Sequence, residues 1–476
     1  MMATATVQQQ KTTNPTAIIA TLAAAGIVVS MAQTLVIPII GSLPDLLHTS
    51  ASNASWVVTI TLLTGAISTP VMGRLADMHG KKKMILIALI PFIVGSVICA
   101  LSGSLVPMVI GRGLQGLATG VVPLGISLLH DVLPSERVGS AMALMSSSLG
   151  VGGALGLPAS AAIIQFADWR VLFWITAAAG VLILLAVAKV IPSHAARGHE
   201  HGFDWVGTVG LGLGLTGLLL GISKGTAWGW TSPLTLGMLL GAVVVFVLWS
   251  LWELRRPGPL VDLHATVRPV VLLTNIASIL IGFSMYAQSL ILPQLMQLPV
   301  ATGYGHGQST FQMGLWMAPA GLGMMAVSGL GAAITRRWGA KVTLTIGSVV
   351  MAIGYLASAL GTGSLWVLVF TALLTSCGTG LTYGAMPALI LSAVPATEKA
   401  AANGFNSLMR SLGTTIAAAV IGLVLSGMSV AGAEGHSVPT LAGFTTSLLI
   451  GGGLALIAAI AAALIPGPPV RTGGKH

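Results

Sequence analysis

A carboxylate set among cations is the first group in this chain that could do chemistry. The stretch Gly73–Lys83 reads GRLADMHGKKK and separates two long apolar segments, so we predict a tight, glycine-turned loop at a membrane face. Asp77 can dock on the N-terminus of a helix elsewhere in the chain, where the helix dipole favours negative charge, and Arg74 and Lys81 can pair with it. This pattern predicts a latch that favours one conformation; the alternative is an anchor whose cations only hold the loop on one side.

A second charged group, Arg112, falls inside an apolar segment. A guanidinium in the membrane costs roughly 2.5–3.5 kcal/mol on insertion scales, and it usually faces the protein interior or a water-filled cavity. Arginine does not titrate in the physiological range, so in proton transfer it can only tune a partner. Asp131 is the nearest carboxylate on the same segment, but it lies near the opposite membrane face. The alternative is an arginine that snorkels to the outer interface.

Small residues mark the fifth apolar segment, where Gly152 and Gly156 are four positions apart and Pro158 follows. Small residues at this spacing let two helices approach closely, and the proline can bend the helix. We therefore predict a close helix contact along this row. Close packing alone accounts for the glycines as well as any functional role does.

Polar side chains share one face of a segment near the C-terminus. Asn403, Asn406 and Arg410 follow the helical i, i+3, i+7 spacing, so this face is predicted to line a cavity or a helix contact. Three further residues in apolar segments can line an aromatic, uncharged pocket, although packing or interface anchoring explains them equally well; they are Tyr286, Gln288 and Trp316.

The elements that hold these residues follow from the composition. The 476 residues are 55% hydrophobic and 7% charged, with a net charge of +10 and a mean hydropathy of +0.94. Apolar runs of about 20 residues, long enough to cross a bilayer as helices, recur fourteen times. Their approximate bounds are 17–40, 55–72, 84–102, 108–129, 140–162, 170–190, 205–222, 234–252, 270–292, 312–333, 342–360, 365–390, 403–427 and 442–465.

The lysines and arginines predict the orientation of these spans. With both termini in the cytoplasm, 17 of the 21 fall in cytoplasmic segments, Arg170 and Lys224 fall outside, and Arg112 and Arg410 lie within spans. An excess of cations marks the cytoplasmic side. The sequence therefore predicts a multi-pass protein of a bacterial cytoplasmic membrane with both termini inside.

A weak internal repeat divides the chain. Ala332–Lys341 follows the tenth span as Gly73–Lys82 follows the second, with Arg336 in the place of Asp77. Such degenerate copies are typical of transporters built from two halves. We predict an N-terminal six-helix bundle (1–192), an inserted helix pair (193–269) and a C-terminal six-helix bundle (270–476).

These motifs resemble those of one family. The Gly73–Lys83 stretch closely resembles the loop between spans 2 and 3 of the major facilitator superfamily, and Arg112 followed by Gln115 and Gly116 resembles its span-4 motif. The fifth span resembles the signature of drug:proton antiporters, apart from Leu157 before the proline, and the segment around Arg410 and Asp168–Arg170 is similar to the fourteen-span branch.

The resemblance implies an all-α integral membrane protein with the major facilitator fold, in which two six-helix bundles and two inserted helices enclose a central cavity. It implies a gating role for Gly73, Arg74, Asp77, Gly80 and Lys81, and proton coupling through Arg112, Gln115 and Asp131. One departure concerns Ser30–Pro38, where the family often carries an aspartate and this chain has none.

The resulting prediction is a monomeric efflux transporter that exports hydrophobic or amphipathic molecules in exchange for protons. It is not an enzyme, it binds no nucleic acid, metal or cofactor, and the absence of a Gly-x-x-x-x-Gly-Lys loop argues against ATP as the energy source. Two alternatives stay open: a major facilitator carrier that is not an antiporter, and a membrane receptor or scaffold that transports nothing.

Overall fold

The computed structural model describes residues 14–39, 42–192, 202–431 and 437–466. This part of the chain contains fourteen helices long and apolar enough to cross a membrane, which confirms the predicted number of spans. Spans 1 to 14 are Pro15–Ile39, Trp56–His79, Lys81–Leu101, Leu105–Val132, Glu136–Phe166, Arg170–Val190, Trp205–Gly225, Pro233–Arg255, Pro269–Gln297, Thr310–Trp338, Ala340–Leu360, Leu365–Ala393, Lys399–Gly427 and Leu441–Ala463.

Several spans are not single regular helices. The helix of span 1 ends at Thr34 and is followed by a 3₁₀ turn at Ile37–Ile39, whereas span 4 is broken by a 3₁₀ turn at Leu117–Gly120. The helix of span 7 continues to Trp228. The shorter elements are helices at Leu43–Leu46, Ala51–Ala54 and Leu263–Thr266, a 3₁₀ turn at Val300–Thr302, and the antiparallel strands β1 (Ser429–Ala431) and β2 (Ser437–Pro439).

The prediction of a loop over Gly73–Lys83 is wrong for every residue except Gly80. The helix of span 2 runs to His79, the next helix begins at Lys81, and Gly80 joins them with a φ of 98°. Gly339 makes the same joint between spans 10 and 11, with a φ of 88°. Hydropathy marks where a helix leaves the lipid; it does not mark where the helix ends. Arg74, Asp77 and Lys81 are buried, whereas His79 and Lys83 are exposed.

Small residues bring span 5 against span 1. A Cβ at Gly152 would lie 2.5 Å from the carbonyl oxygen of Ile27, and one at Gly156 would lie 2.0 Å from Thr34 Oγ1. On its other side span 5 meets span 10, where Pro158 packs on Gly314. The predicted close packing of this row is therefore present in the structure.

The hydrophobic clusters follow the two six-span groups, spans 1–6 and spans 9–14. The two largest clusters each draw nearly all their residues from one group. Between the groups, span 2 packs against span 13 and span 5 packs against span 10. This arrangement supports a division into two bundles that meet along two seams.

Spans 7 and 8, the inserted helix pair, pack on each other and cover the seam between spans 2 and 13. One hydrophobic cluster joins Leu63 of span 2, Leu215 of span 7, Trp249 of span 8 and Leu408 of span 13. The prediction that Lys224 lies in an outer loop is wrong, because this lysine is 2% exposed and lies in the helix of span 7. Its ammonium donates to Ser55 Oγ at 2.5 Å.

The orientation of the spans stays a prediction, and two exposed cations test it. We expect cysteines at Lys83 and Arg336 to resist a membrane-impermeant maleimide applied to intact cells, because both positions lie on the predicted cytoplasmic face. Ala301, exposed between spans 9 and 10 on the other face, is the matched position that should label. Efficient labelling at Lys83→Cys and Arg336→Cys, with none at Ala301→Cys, would invert the orientation.

Candidate functional site

Asp77 joins the two six-span groups at one membrane face. Its carboxylate, 6% exposed, accepts hydrogen bonds from the backbone N–H groups of Ala401 at 2.9 Å and Ala400 at 3.2 Å. These residues open the helix of span 13, which begins at Lys399. The first N–H groups of a helix have no partner within the helix, and the dipole adds attraction for an anion. We call this contact the latch and its membrane side the latch face.

Gly73 lets the two helices of the latch approach. A Cβ at this position would lie 2.5 Å from the carbonyl oxygen of Ala400, so any side chain would separate spans 2 and 13. Gly404 does the same from the other helix, since its Cβ would lie 2.8 Å from the carbonyl oxygen of Thr69. Backbone therefore meets backbone at the latch, and Asp77 is brought within hydrogen-bonding distance of span 13.

Lys81 does not pair with Asp77, contrary to the expectation from sequence. Its ammonium donates to Asp131 Oδ2 at 2.5 Å and to the carbonyl oxygen of Ser127 at 3.2 Å. Lys81 is the first residue of span 3, and both of these contacts are with residues near the end of span 4. Arg74, also expected to pair with Asp77, forms no ion pair with it; it is buried beside Ala401 and Phe405 in a small cavity at the latch face.

Arg112 lies toward the opposite membrane face, enclosed by spans 1, 2 and 4. Its side chain is 1% exposed; Nη1 donates to the carbonyl oxygen of Ala32 at 2.9 Å, and Nε donates to that of Val57 at 3.2 Å. Nη1 also donates to Gln115 Oε1 at 2.7 Å, while Gln115 in turn donates to Ser96. Among the described residues no carboxylate lies within ion-pair distance of this arginine.

Ala32 explains why a cation is held there. It lies within the last four residues of the helix that ends at Thr34, and the carbonyl groups of that turn have no N–H partner in the helix. A positive charge at a helix C-terminus is favoured by the dipole. Arg112 therefore ties span 4 to the end of span 1, and Asp131 belongs to a separate site at the latch face.

The polar face of span 13 is a hydrogen-bonded network. Asn406 donates to Asn275 at 2.9 Å and to Ser278 at 2.7 Å, and it accepts from Arg410 Nη1 at 3.0 Å. The Arg410 guanidinium lies 5.0 Å from the centroid of the Tyr383 ring. Span 13 is thus connected to spans 9 and 12 near the centre of the second six-span group.

Asn403, the first residue of that face, contacts the other six-span group. Its amide nitrogen donates to the carbonyl oxygen of Pro123 in span 4 at 2.8 Å, and its amide oxygen is buried with no partner among the described residues. It therefore belongs to the contact between the halves on the latch side. Of the two roles predicted from the spacing, a cavity lining or a helix contact, Asn403 makes a helix contact, and a role in binding cargo stays a prediction.

The remaining three cavity candidates do not join this network. Gln288 donates to the carbonyl oxygen of Ala372 at 3.1 Å, Tyr286 packs on the apolar cluster of the second group, and Trp316 donates to Gln308 and stacks edge-on against Trp366. These contacts lie in the second six-span group, and the prediction that the three residues line a substrate pocket stays a prediction.

Sequence reasoning missed the polar residues of the inserted helix pair. Asp204 and Glu253 are each 2% exposed and lie at the latch-face ends of spans 7 and 8. Glu253 stands one turn inside an apolar run that ends in Arg255 and Arg256. This position could have identified Glu253 as a candidate from the sequence, because an acidic residue inside a span is energetically costly and is usually retained for a function.

The comparisons agree with this architecture. The family model of the Major Facilitator Superfamily matches residues 22–204, 205–418 and 274–476. The crystal structure of the human organic anion transporter MFSD10 superposes with a TM-score of 0.68 at 16% identity, covering 94% of this chain and 99% of that one. The fold and the sequence match place the chain in a class of membrane transporters: it belongs to the major facilitator superfamily.

Several curated proteins are similar to this chain in sequence. An uncharacterised transporter of Mycobacterium tuberculosis is 28% identical to this chain. The match covers 69% of this chain but only 47% of the length of that relative. The putative multidrug resistance protein MdtD of Escherichia coli is 28% identical, with 83% of each chain covered, and the tetracenomycin C resistance and export protein of Streptomyces glaucescens is 27% identical, covering 80% and 70%. Two of these relatives, both under 30% identical to this chain, carry names that refer to multidrug resistance or to drug export.

Proposed function

We propose that this protein exports hydrophobic or amphipathic small molecules in exchange for protons. The single observation that carries the proposal is the latch: Asp77 of the first six-span group is bound by two N–H groups of the second. A contact between the groups that depends on one carboxylate can form and break as they rock. The names of the relatives support a drug-like cargo.

The latch is strong enough to favour one state and weak enough to open. A hydrogen bond to a charged group contributes about 1.5–3 kcal/mol, so the pair of bonds at Asp77 biases the equilibrium without locking it. The close contacts at Gly73 and Gly404 lie beside it on the same face. The described state is therefore closed at the latch face, and transport requires these contacts to separate.

The charges near the centre favour cargo that carries no strong positive charge. Arg410 is held there by Asn406, Ser407 and the Tyr383 ring, and no carboxylate of the described residues forms an ion pair with it. A fixed cation repels cationic ligands, attracts anionic ones and leaves neutral ones without a net Coulomb penalty. We propose neutral and weakly acidic amphipathic molecules as the preferred cargo.

Purified protein in proteoliposomes tests the proposal. With a neutral amphipathic dye and a pH-sensitive probe in the lumen, we expect dye flux to follow an imposed pH gradient and to move protons in the opposite direction. Collapsing the gradient with a protonophore should nearly abolish dye flux, because the exchange then has no proton gradient to drive it. Dye flux that ignores the gradient would indicate a facilitator, and no flux of any cargo would indicate a receptor.

A further inference from the structure

Two carboxylates meet at the latch-face end of the inserted helix pair. Asp204 caps span 7, where Oδ1 accepts the Gly207 N–H at 2.9 Å, and Glu253 lies in the last turn of span 8. A Cβ at Gly207 would lie 2.4 Å from Glu253 Oε1 and 2.6 Å from Asp204 Oδ2. The two oxygens are thus within about 5 Å of each other, the range in which like charges oppose one another's ionisation.

Glu253 is the less satisfied of the two. Its Oε2 accepts the Val261 N–H at 3.4 Å, whereas Oε1 is buried, faces Asp204 and has no hydrogen-bond partner among the described residues. Asp204 is better satisfied, because the Trp252 indole N–H also reaches its oxygens at 3.1 and 3.2 Å. A buried oxygen of an ionised carboxylate is costly when it lacks a hydrogen-bond partner, so a proton on Oε1 would lower both this cost and the repulsion from Asp204.

The surrounding charges do not supply that relief. Arg256 at the end of span 8 lies over the Trp252 ring, 5.8 Å from its centroid, and its Nε has no hydrogen-bond partner among the residues that the structure describes. In the loop after span 8, Asp262 caps the Ala265 N–H and lies 3.8 Å from His264. In the part of the chain that the structure describes, neither Asp204 nor Glu253 forms an ion pair within 4 Å of a cation.

The loop that Glu253 holds reaches the latch. Leu260 and Val261 are buried in the cluster that joins the inserted pair to spans 2 and 13. The same two residues line the small cavity that also contains Arg74, Ala401 and Phe405. Ala401 is one of the two N–H donors to Asp77, so the Glu253–Val261 hydrogen bond connects the carboxylate pair to the latch through one short segment.

We propose that Asp204 and Glu253 form a proton-binding site, and that protonation of Glu253 loosens the Leu260–Val261 segment beside the latch. A hydronium ion transfers its proton to Glu253 Oε1: one O–H bond of hydronium breaks, the O–H bond of the carboxyl forms, and a water molecule is left. A neutral carboxyl is a weaker hydrogen-bond acceptor than a carboxylate, so the bond from the Val261 N–H weakens. The site supplies the carboxylate that the first span lacks, and it does not depend on the identity of the cargo.

Infrared difference spectroscopy of the purified full-length protein in lipid tests proton binding. Between about pH 5 and about pH 8, where a buried carboxyl pair titrates, we expect a C=O stretching band of a protonated carboxyl that shifts in D₂O and is absent in Glu253→Gln. Asp204→Asn removes the opposing charge, so the midpoint of that band should fall by about one pH unit or more. Asp168→Asn, a 56% exposed acid on the other face, should leave the band unchanged.

Hydrogen exchange at one fixed pH tests the release. Because Glu253→Gln mimics the protonated state, the peptide that contains Leu260 and Val261 should exchange at least about threefold faster in this variant than in the native protein at about pH 8. If the wild-type protein shows no protonated-carboxyl band that disappears in Glu253→Gln, in buffers with sodium and in buffers without it, the proton site is overturned. Equal exchange in the two proteins would overturn the link to the latch. If Glu253→Gln does not fold, an unchanged midpoint in Asp204→Asn refutes the pair.

Discussion

Replacing Asp77 by asparagine is expected to lower the rate of export at least about tenfold while leaving the amount of inserted protein near normal. Asparagine keeps the size of the side chain but removes the charge that the N-terminus of span 13 stabilises. In the native protein the two carboxylate oxygens accept hydrogen bonds from the N–H groups of Ala400 and Ala401. In asparagine one of these oxygens is replaced by an NH₂ group, a donor that would face an N–H group. Losing one bond to a charged group, worth about 1.5–3 kcal/mol, suffices for a tenfold change in an equilibrium.

The measurement is the initial rate of dye export from cells or everted vesicles, normalised to the transporter in the membrane. Asp168→Asn is the matched control, because the ion pair of Asp168 with Arg170 lies at the other face; this variant should export normally. Asp77→Glu keeps the charge but adds a methylene where spans 2 and 13 touch, so partial activity is expected. Full export by Asp77→Asn would reduce this stretch to a signal for membrane orientation.

The span count could be read from the sequence because lipid leaves the backbone few choices. In a bilayer each N–H and C=O group must be paired internally, so long apolar runs become helices whatever their neighbours are. All fourteen appear where they were expected, with ends that differ by a few residues. The sequence did not predict that Arg74 and Asp77 lie in a helix. Their burial depends on contacts with span 13, and hydropathy carries no information on contacts between distant segments.

For each contact in the site, the sequence could suggest one of the two partners but could not identify the other. A carboxylate such as Asp77 suggests a helix N-terminus as its partner, but Ala401 lies 324 positions away and no local pattern identifies it. Lys224 shows the converse error. The rule that assigns cations to loops assumes that they are solvated, whereas this ammonium is buried against Ser55 and the Trp56 ring.

Arg112→Ala is expected to abolish export and to destabilise the protein as well. Arg112 gives three hydrogen bonds, to Ala32, Val57 and Gln115. Truncating the side chain leaves the Ala32 carbonyl and the Gln115 amide oxygen without this donor, whereas the Val57 carbonyl still accepts from Thr61 Oγ1. Each orphaned group costs about 1–3 kcal/mol, so the free energy of unfolding should fall by about 2 kcal/mol or more. The Ala32 carbonyl then ends span 1 without a partner, and the contact between spans 1 and 4 should loosen.

Two readouts separate a structural tie from a role in proton coupling. The unfolding temperature in detergent should drop in Arg112→Ala and recover partly in Arg112→Lys, because an ammonium lacks the planar fork that reaches two carbonyl groups at once. Arg137→Ala, at an exposed arginine on the latch face, controls for the loss of one cation. An unchanged unfolding temperature together with lost export and retained cargo binding would assign Arg112 to coupling and would contradict the tie. Normal export by Arg112→Ala would contradict a role in coupling. Normal export together with an unchanged unfolding temperature would contradict the structural tie as well, because a guanidinium buried this deeply persists only where its contacts offset the cost of placing it there.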